Sequence, residues 1–160
     1  MTSFHIRPLN KDDRPWVTDL LKEWWAGPKM VTRGNVHYPD KYPGFIAEVK
    51  GKPAGLVTYN IVGQECEIVT MNSLVEKIGI GSALINVVKE AAIKKGCKRL
   101  WLITTNDNTK ALRFYQKYGM ALAVVHRNAV EQSRHLKPEI PLTGNDGIEI
   151  RDEIELEILL

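Results

Sequence analysis

CEIVTMNSLVEKIGIGSAL, residues 66–84, runs as an apolar strand into a Gly-bearing turn and then into the start of an amphipathic helix. Gly79 and Gly81 remove side chains where a backbone must bend tightly or admit a ligand, and the helix after them is predicted to begin at Ser82. Unpaired N–H groups at such a start favour an anion, and the helix dipole adds roughly 0.3–1 kcal/mol for a bound negative charge. A phosphate group is the natural guest. Read alone, Gly-x-Gly before a helix serves equally well as a structural turn. Two familiar phosphate motifs fail here: a dinucleotide fold wants a third glycine where position 84 is Leu, and no Gly-Lys-Ser/Thr of a nucleotide P-loop is present.

Upstream, GFIAEVKG (44–51), AGLVTYNIVG (54–63) and the strand Glu65–Met71 are joined by short connections, the first through Lys52-Pro53, which predicts an antiparallel meander. Period-two alternation puts Glu65, Glu67, Val69 and Met71 on one face. A carboxyl in an apolar cleft has its pKa raised and becomes useful as a general base. At an exposed sheet edge it is only solvated, and Glu65 suits that edge. Downstream, the helix Ser82–Lys95 aligns Leu84, Val88 and Ala92 on one stripe and ends at Gly96, and RLWLITT (99–105) is the apolar run of a central strand. Strand, helix and strand in this order make a right-handed crossover to a parallel neighbour. Asn106, Asp107 and Asn108 then cap a helix that carries Tyr115 on its apolar face and stops at Gly119.

Toward the N-terminus, FHIRPL (4–9) reads as a short strand, and Pro15 fits the first turn of a helix running to about Trp25. The adjacent indoles of Trp24 and Trp25 cannot share one helix face, so one of them is a candidate for the border of a ligand cleft. Residues 26–44 break every periodicity and read as loop with at most one helical turn; Tyr38 and Tyr42 hint at an aromatic pocket, and a lone His37 makes no catalytic constellation. Toward the C-terminus, ALAVVHRN (121–128) is a strand, 131–147 is polar with two prolines, and IEIRDEIELEILL (148–160) alternates apolar and acidic residues as a closing strand does. This tail completes the sheet, covers the ligand site or forms a dimer contact.

The chain has 160 residues with 44% apolar content, enough for one sizeable core and one domain over 1–160, with 131–160 as a C-terminal extension. No membrane-length apolar run and no signal-peptide core occur, which points to a cytoplasmic protein without a membrane partner. The net charge of +3 is mild and scattered, so no nucleic-acid partner is expected. Cys66 and Cys97 lack metal-ligand spacing, so no metal is expected, and both are read as reduced, packed thiols.

Two motifs carry a resemblance. Glu76-Lys77-Ile78-Gly79-Ile80-Gly81 is similar to the Arg/Gln-x-x-Gly-x-Gly/Ala pyrophosphate loop of the GNAT family, the GCN5-related N-acetyltransferases, and Asn108 to Met120 resembles that family's Asn-x-x-Ala-x-x-Phe-Tyr-x-x-x-Gly-Phe pattern, with Met120 in place of Phe. Glu76 departs from Arg or Gln; a carboxylate there repels pyrophosphate unless it points away, and Lys77 offers an offsetting charge. The resemblance spans about Phe4 to Val130. It implies the α/β (α+β) GNAT fold, a central mixed, mostly antiparallel twisted sheet of six to seven strands flanked by helices. It also implies transfer of an acetyl group from acetyl-CoA to a small-molecule or peptide amine by direct attack in a ternary complex. By the same resemblance, Lys77, Ile78, Gly79, Ile80, Gly81 and Ser82 hold the pyrophosphate, the strand edge at Met71 and Ser73 holds the pantetheine arm, and Asn108 contacts that arm. Glu67, with Glu65 second, is the base, Tyr115 protonates the leaving thiolate, and Trp24, Trp25 and Tyr38 border the acceptor. A homodimer is compatible with this reading. The alternative is a non-catalytic CoA-binding module of the same fold, favoured by Glu76 and opposed by Asn108 and Tyr115.

Overall fold

A computed structural model describes residues 2–160. Its main sheet has seven strands. In chain order they are β1 (His5–Pro8), β4 (Gly44–Val49), β5 (Lys52–Val62), β6 (Glu65–Ser73), β7 (Arg99–Thr105), β8 (Ala121–His126) and β9 (Glu153–Leu159); a separate two-stranded ribbon comprises β2 (Met30–Thr32) and β3 (Asn35–His37). The spatial order is β1-β4-β5-β6-β7-β9-β8, and only β6 and β7 run parallel. The helices are α1 (Arg14–Trp25), α2 (Ile80–Lys94), α3 (Thr109–Tyr118) and α4 (Ala129–Leu136). This is the mixed, mostly antiparallel arrangement expected of the sequence. No helix among the described residues is long and apolar enough to cross a membrane.

Helices cover both faces. Leu84, Ile85, Val88 and Ala92 of α2 pack with Val57, Cys66, Ile68 and Leu100 in one core, while Val17, Leu20 and Leu21 of α1 close over Leu56 on the opposite face. Gly55 permits the closest approach between α2 and the sheet: a Cβ there would lie 2.6 Å from Ile80 Cγ2 and 3.2 Å from Leu84 Cδ1. Cys66 and Cys97 are buried free thiols, and burial pushes the Cys66 pKa up to about 12, which keeps it protonated and unreactive.

Several expectations need correction. The 26–44 stretch contains the β2–β3 hairpin, which pairs Thr32 with Asn35 across Arg33 and Gly34, both at positive φ (51° and 74°). Strands of three residues are too short to show alternation, and Arg-Gly is a less familiar two-residue turn than Asn-Gly. The β4–β5 hairpin turns at Lys50-Gly51, not at Lys52-Pro53; Pro53 lies inside β5 beside a bulge, where a missing N–H is tolerated. Helix α2 begins at Ile80, with Gly79 as N-cap, so Gly81 belongs to the first turn. The polar stretch after β8 contains α4, whose buried residues Val130 and Ser133 give no apolar stripe for a periodicity search to find.

The face assignment on β6 also changes. Thr58 opposes Thr70 while Tyr59 opposes Ile68, which leaves Val69 as a bulge residue. The extra residue inverts the alternation. Met71 joins Cys66 and Ile68 in the α2-side core, whereas Glu67 lies on the other face against β2.

Candidate active site

The geometry of the site begins where β6 and β7 part. Their pairing runs from Glu65–Arg99 to Ile68–Leu102 and stops, although β6 continues to Ser73 and β7 to Thr105. A cavity of about 550 Å3 fills the opening, with Val69, Thr70 and Met71 on one wall and Leu102 to Thr105 on the other. Beyond the fork, β6 has no strand partner on that edge, so its main chain is available to pair with an extended ligand. Asn108 and Tyr115 line the same cavity, as do both Trp24 and Trp25 at the end of α1.

The N-terminus of α2 stands beyond the end of β6. Gly79 caps it at φ 89° without any side-chain cap bond, so its first amides have no side-chain acceptor. Gly81 lets α3 pack against this turn, since a Cβ there would lie 2.9 Å from Phe114 Cζ. Phe114 in turn meets Tyr115 edge-on at 5.4 Å. The Gly-x-Gly turn and the Phe-Tyr pair are thus mechanically joined. Glu76 does not point into the loop: its Oε1 accepts from Lys110 Nζ at 2.7 Å on the surface. That partner holds the Glu76 carboxyl below its ordinary pKa.

Beneath the cavity floor lies a buried polar cluster. Glu67 is 6% exposed, and His37 is also buried. Thr32 Oγ1 donates to Glu67 Oε2 at 3.0 Å, lies 3.1 Å from His37 Nε2, and itself lines the cavity, whereas Glu67 does not. His37 Nδ1 is 2.8 Å from the Tyr42 hydroxyl, and His37 Nε2 is 3.6 Å from Glu67 Oε1. Burial lowers the His37 pKa and keeps the ring neutral. One tautomer satisfies every bond: Tyr42 O–H to Nδ1, Nε2–H to Thr32, and Thr32 O–H to Glu67. Burial also raises the Glu67 pKa to about 7, with the Thr32 bond and Arg33 opposing the rise and Glu155 and Glu153 assisting it. A carboxyl titrating there is matched to proton transfer at neutral pH.

The acidic face of β9 supports this cluster from the side. Glu155 binds the guanidinium of Arg99 and lies 3.0 Å from His126 Nε2 and 3.4 Å from Arg33 Nη1. Burial alone would raise its pKa, but Arg99 and His126 hold it below the ordinary value. Glu153 lines the cavity and accepts from Ser133 Oγ at 3.0 Å and from the Arg33 amide at 3.2 Å.

The predicted residues fall into three groups. Met71, Asn108, Tyr115, Trp24 and Trp25 converge on the cavity; Asn108 Oδ1 also caps α3 by accepting from the Ala111 amide at 3.3 Å. Lys77, Ile78, Gly79, Ile80, Gly81 and Ser82 form the loop and first turn of α2, beyond Ser73, whose hydroxyl donates to the Val75 carbonyl. Glu65 stands apart, its side chain 54% exposed and paired with Arg99, and Tyr38 lies outside the cavity, stacked by Lys41 Nζ at 5.5 Å. Burial raises the Tyr115 pKa to about 12, so the phenol keeps its proton at neutral pH. Sequence reasoning missed Thr32, Ser133, Lys137 and Glu153 as parts of the site, and read Tyr42 as pocket lining, not as the partner of His37. Only Glu153 had a local signal, the alternation in β9, and that signal does not say what the acidic face meets.

Comparison with known proteins agrees with this geometry. The sequence model of the Acetyltransferase (GNAT) family matches residues 6–120. An uncharacterised Bacillus subtilis protein, YdhI, is 44% identical over 93% of this chain and 94% of its own length. Among solved structures, an acetyltransferase of Bacillus cereus described as an IAA acetyltransferase superposes with a TM-score of 0.74 at 23% identity, covering 99% of this chain and 100% of that one. A GNAT family acetyltransferase from Elizabethkingia anophelis with acetyl-CoA bound gives 0.68 at 21% identity, covering 98% of each chain. With the forked sheet, the uncapped α2 turn and the family match over most of its length, the chain belongs to the GNAT family of acetyltransferases.

Proposed function

We propose that the protein is an N-acetyltransferase that moves the acetyl group of acetyl-CoA to a primary amine by direct attack within a ternary complex. The observation that carries this reading is the buried Glu67, titrating near 7 and joined to the cavity through the Thr32 hydroxyl. Asn108 and Tyr115, which line the same cavity, support a catalytic site over a bare binding module.

The cofactor is acetyl-CoA. Its pyrophosphate is taken by the uncapped amides of α2, where side-chain identity matters little and where Glu76 is already paired with Lys110. Its amide-bearing arm pairs with the free edge of β6 from Met71 to Ser73, with Asn108 beside it, and the Met71 amide polarises the thioester carbonyl. The amine gives a proton to the Thr32 oxygen, directly or through a water, as the Thr32 hydroxyl passes its own to Glu67. The neutral nitrogen then bonds to the carbonyl carbon, the carbon–sulfur bond breaks, the departing thiolate takes the Tyr115 proton, and the new amide nitrogen sheds its remaining extra proton, which restores the phenol through solvent. Neutral His37 and Tyr42 hold Thr32 in the orientation that aims its proton at Glu67.

Titration calorimetry with acetyl-CoA, followed by thiol release over a panel of primary amines, tests the reading. One-to-one binding with amine-dependent thiol release is expected. Binding without release for any amine would return the chain to a cofactor-binding role, and absence of binding would remove the cofactor assignment.

A further inference from the structure

Lys137 is a buried cation with an unfinished set of partners. It is 5% exposed, lines the cavity, and its Nζ donates to the Trp25 carbonyl. An ammonium carries three donors, and among the described residues no carboxylate pairs with this one. A buried charge without a counter-ion is costly unless a ligand completes it. Burial lowers the Lys137 pKa; Glu139, also in the cavity wall, opposes that shift and Lys29 adds to it.

The wall carries the opposite charge nearby. Lys137 closes α4 one turn after Ser133, its amide donating to the Ser133 carbonyl at 2.8 Å. The Ser133 hydroxyl holds Glu153, which is 2% exposed and lines the same cavity. Helix α4 therefore presents an ammonium and, through Ser133, a carboxylate to one chamber without letting the two neutralise each other. Glu153 also lies close enough to Glu67 to raise its pKa, which puts the negative end of this pair toward the proton-accepting cluster.

Resting on the acetyl-transfer reading, we propose that the acceptor is an amine that also bears a carboxylate, an amino-acid-like molecule whose carboxylate pairs with Lys137 while its amine lies toward Glu153 and Thr32. A single ammonium with one carbonyl partner calls for a monoanion. Trp24 and Trp25 line the space alongside and suit an aromatic side chain.

The test is a binding comparison that needs no turnover. N-acetylphenylalanine and its neutral methylamide are titrated into the full chain, with and without CoA, using wild type, Lys137→Gln and Lys137→Arg. Glutamine keeps a donor for the Trp25 carbonyl and removes the charge; arginine keeps the charge. The acid is expected to bind about ten- to a hundredfold tighter than the methylamide in wild type, the ratio expected of a charge-assisted hydrogen bond. That preference should vanish in Lys137→Gln and return at least in part in Lys137→Arg, with CoA affinity unchanged in both. Equal binding of acid and methylamide, no binding of either, or a preference that survives Lys137→Gln would overturn the proposal. Because acetyl transfer is judged separately by thiol release, the two ideas fail independently.

Discussion

The two sides of the cavity are built on different principles. On the proposed reading the cofactor side uses main chain: the free edge of β6 and the turn at Gly79 that lacks a side-chain cap, held by close approaches at Gly55 and Gly81. The proposed acceptor side uses buried side chains gathered from β2, β3, β6, β9 and α4. A site made of backbone needs small residues at fixed spacing, and so writes itself into a short stretch of sequence. A site made of side chains from distant elements leaves no contiguous pattern.

The largest expected effect tests the side-chain half. Glu67→Gln should lower kcat by about 10²–10⁴-fold, the usual range for loss of a general base, while CoA affinity changes less than about twofold. Equal losses of binding and turnover would show that Glu67 supports the cavity as a whole. Tyr115→Phe should lower kcat by about 10²-fold with CoA affinity kept, measured by thiol release beside calorimetry.

The main-chain half is tested by stability. Gly55→Ala puts a methyl group against Ile80 and should destabilise the fold by about 1–3 kcal/mol, with weaker CoA binding because α2 must shift. Denaturant unfolding measures the first effect and calorimetry the second. An unchanged midpoint with unchanged CoA affinity would show that the α2 turn does not depend on this contact.

Glu67 also makes a stability prediction whose sign follows from linkage. Its carboxyl titrates near 7 when folded and near 4.5 when unfolded, so its favourable contribution is complete below 4.5 and is lost as pH rises through about 7. Glu67→Gln should therefore become more stable relative to wild type as pH rises, by roughly 3 kcal/mol between urea unfolding curves taken at pH 4 and pH 8. A difference independent of pH would mean that Glu67 does not carry the raised pKa. The smallest effect is expected at Glu76→Gln: an exposed carboxylate already paired with Lys110 should alter CoA affinity by about threefold or less.

These contrasts explain what could be read from sequence. The meander, the crossover through α2 and the Tyr115 helix were legible because apolar periodicity and glycine placement are local. The β2–β3 hairpin was not, since three-residue strands show no period and its value lies in one contact, Thr32 to Glu67. His37 looked isolated because its partners Thr32 and Tyr42 become neighbours only when the ribbon folds under β6. The bulge at Val69 hid itself as well, since one extra residue inverts the face pattern without altering composition. Helix α4 escaped notice because it buries a serine and ends at a buried lysine.

The measurement that bears most directly on the central claim is the pH dependence of kcat/KM for thiol release, which reports ionisations of the free enzyme, wild type beside Glu67→Gln. The predicted wild-type rate rises through an ionisation near 7 to a plateau, because only the carboxylate accepts the proton, and the variant lacks that inflection at a rate at least about a hundredfold lower. The same inflection and a similar rate in both proteins would contradict the assignment of Glu67 as the base.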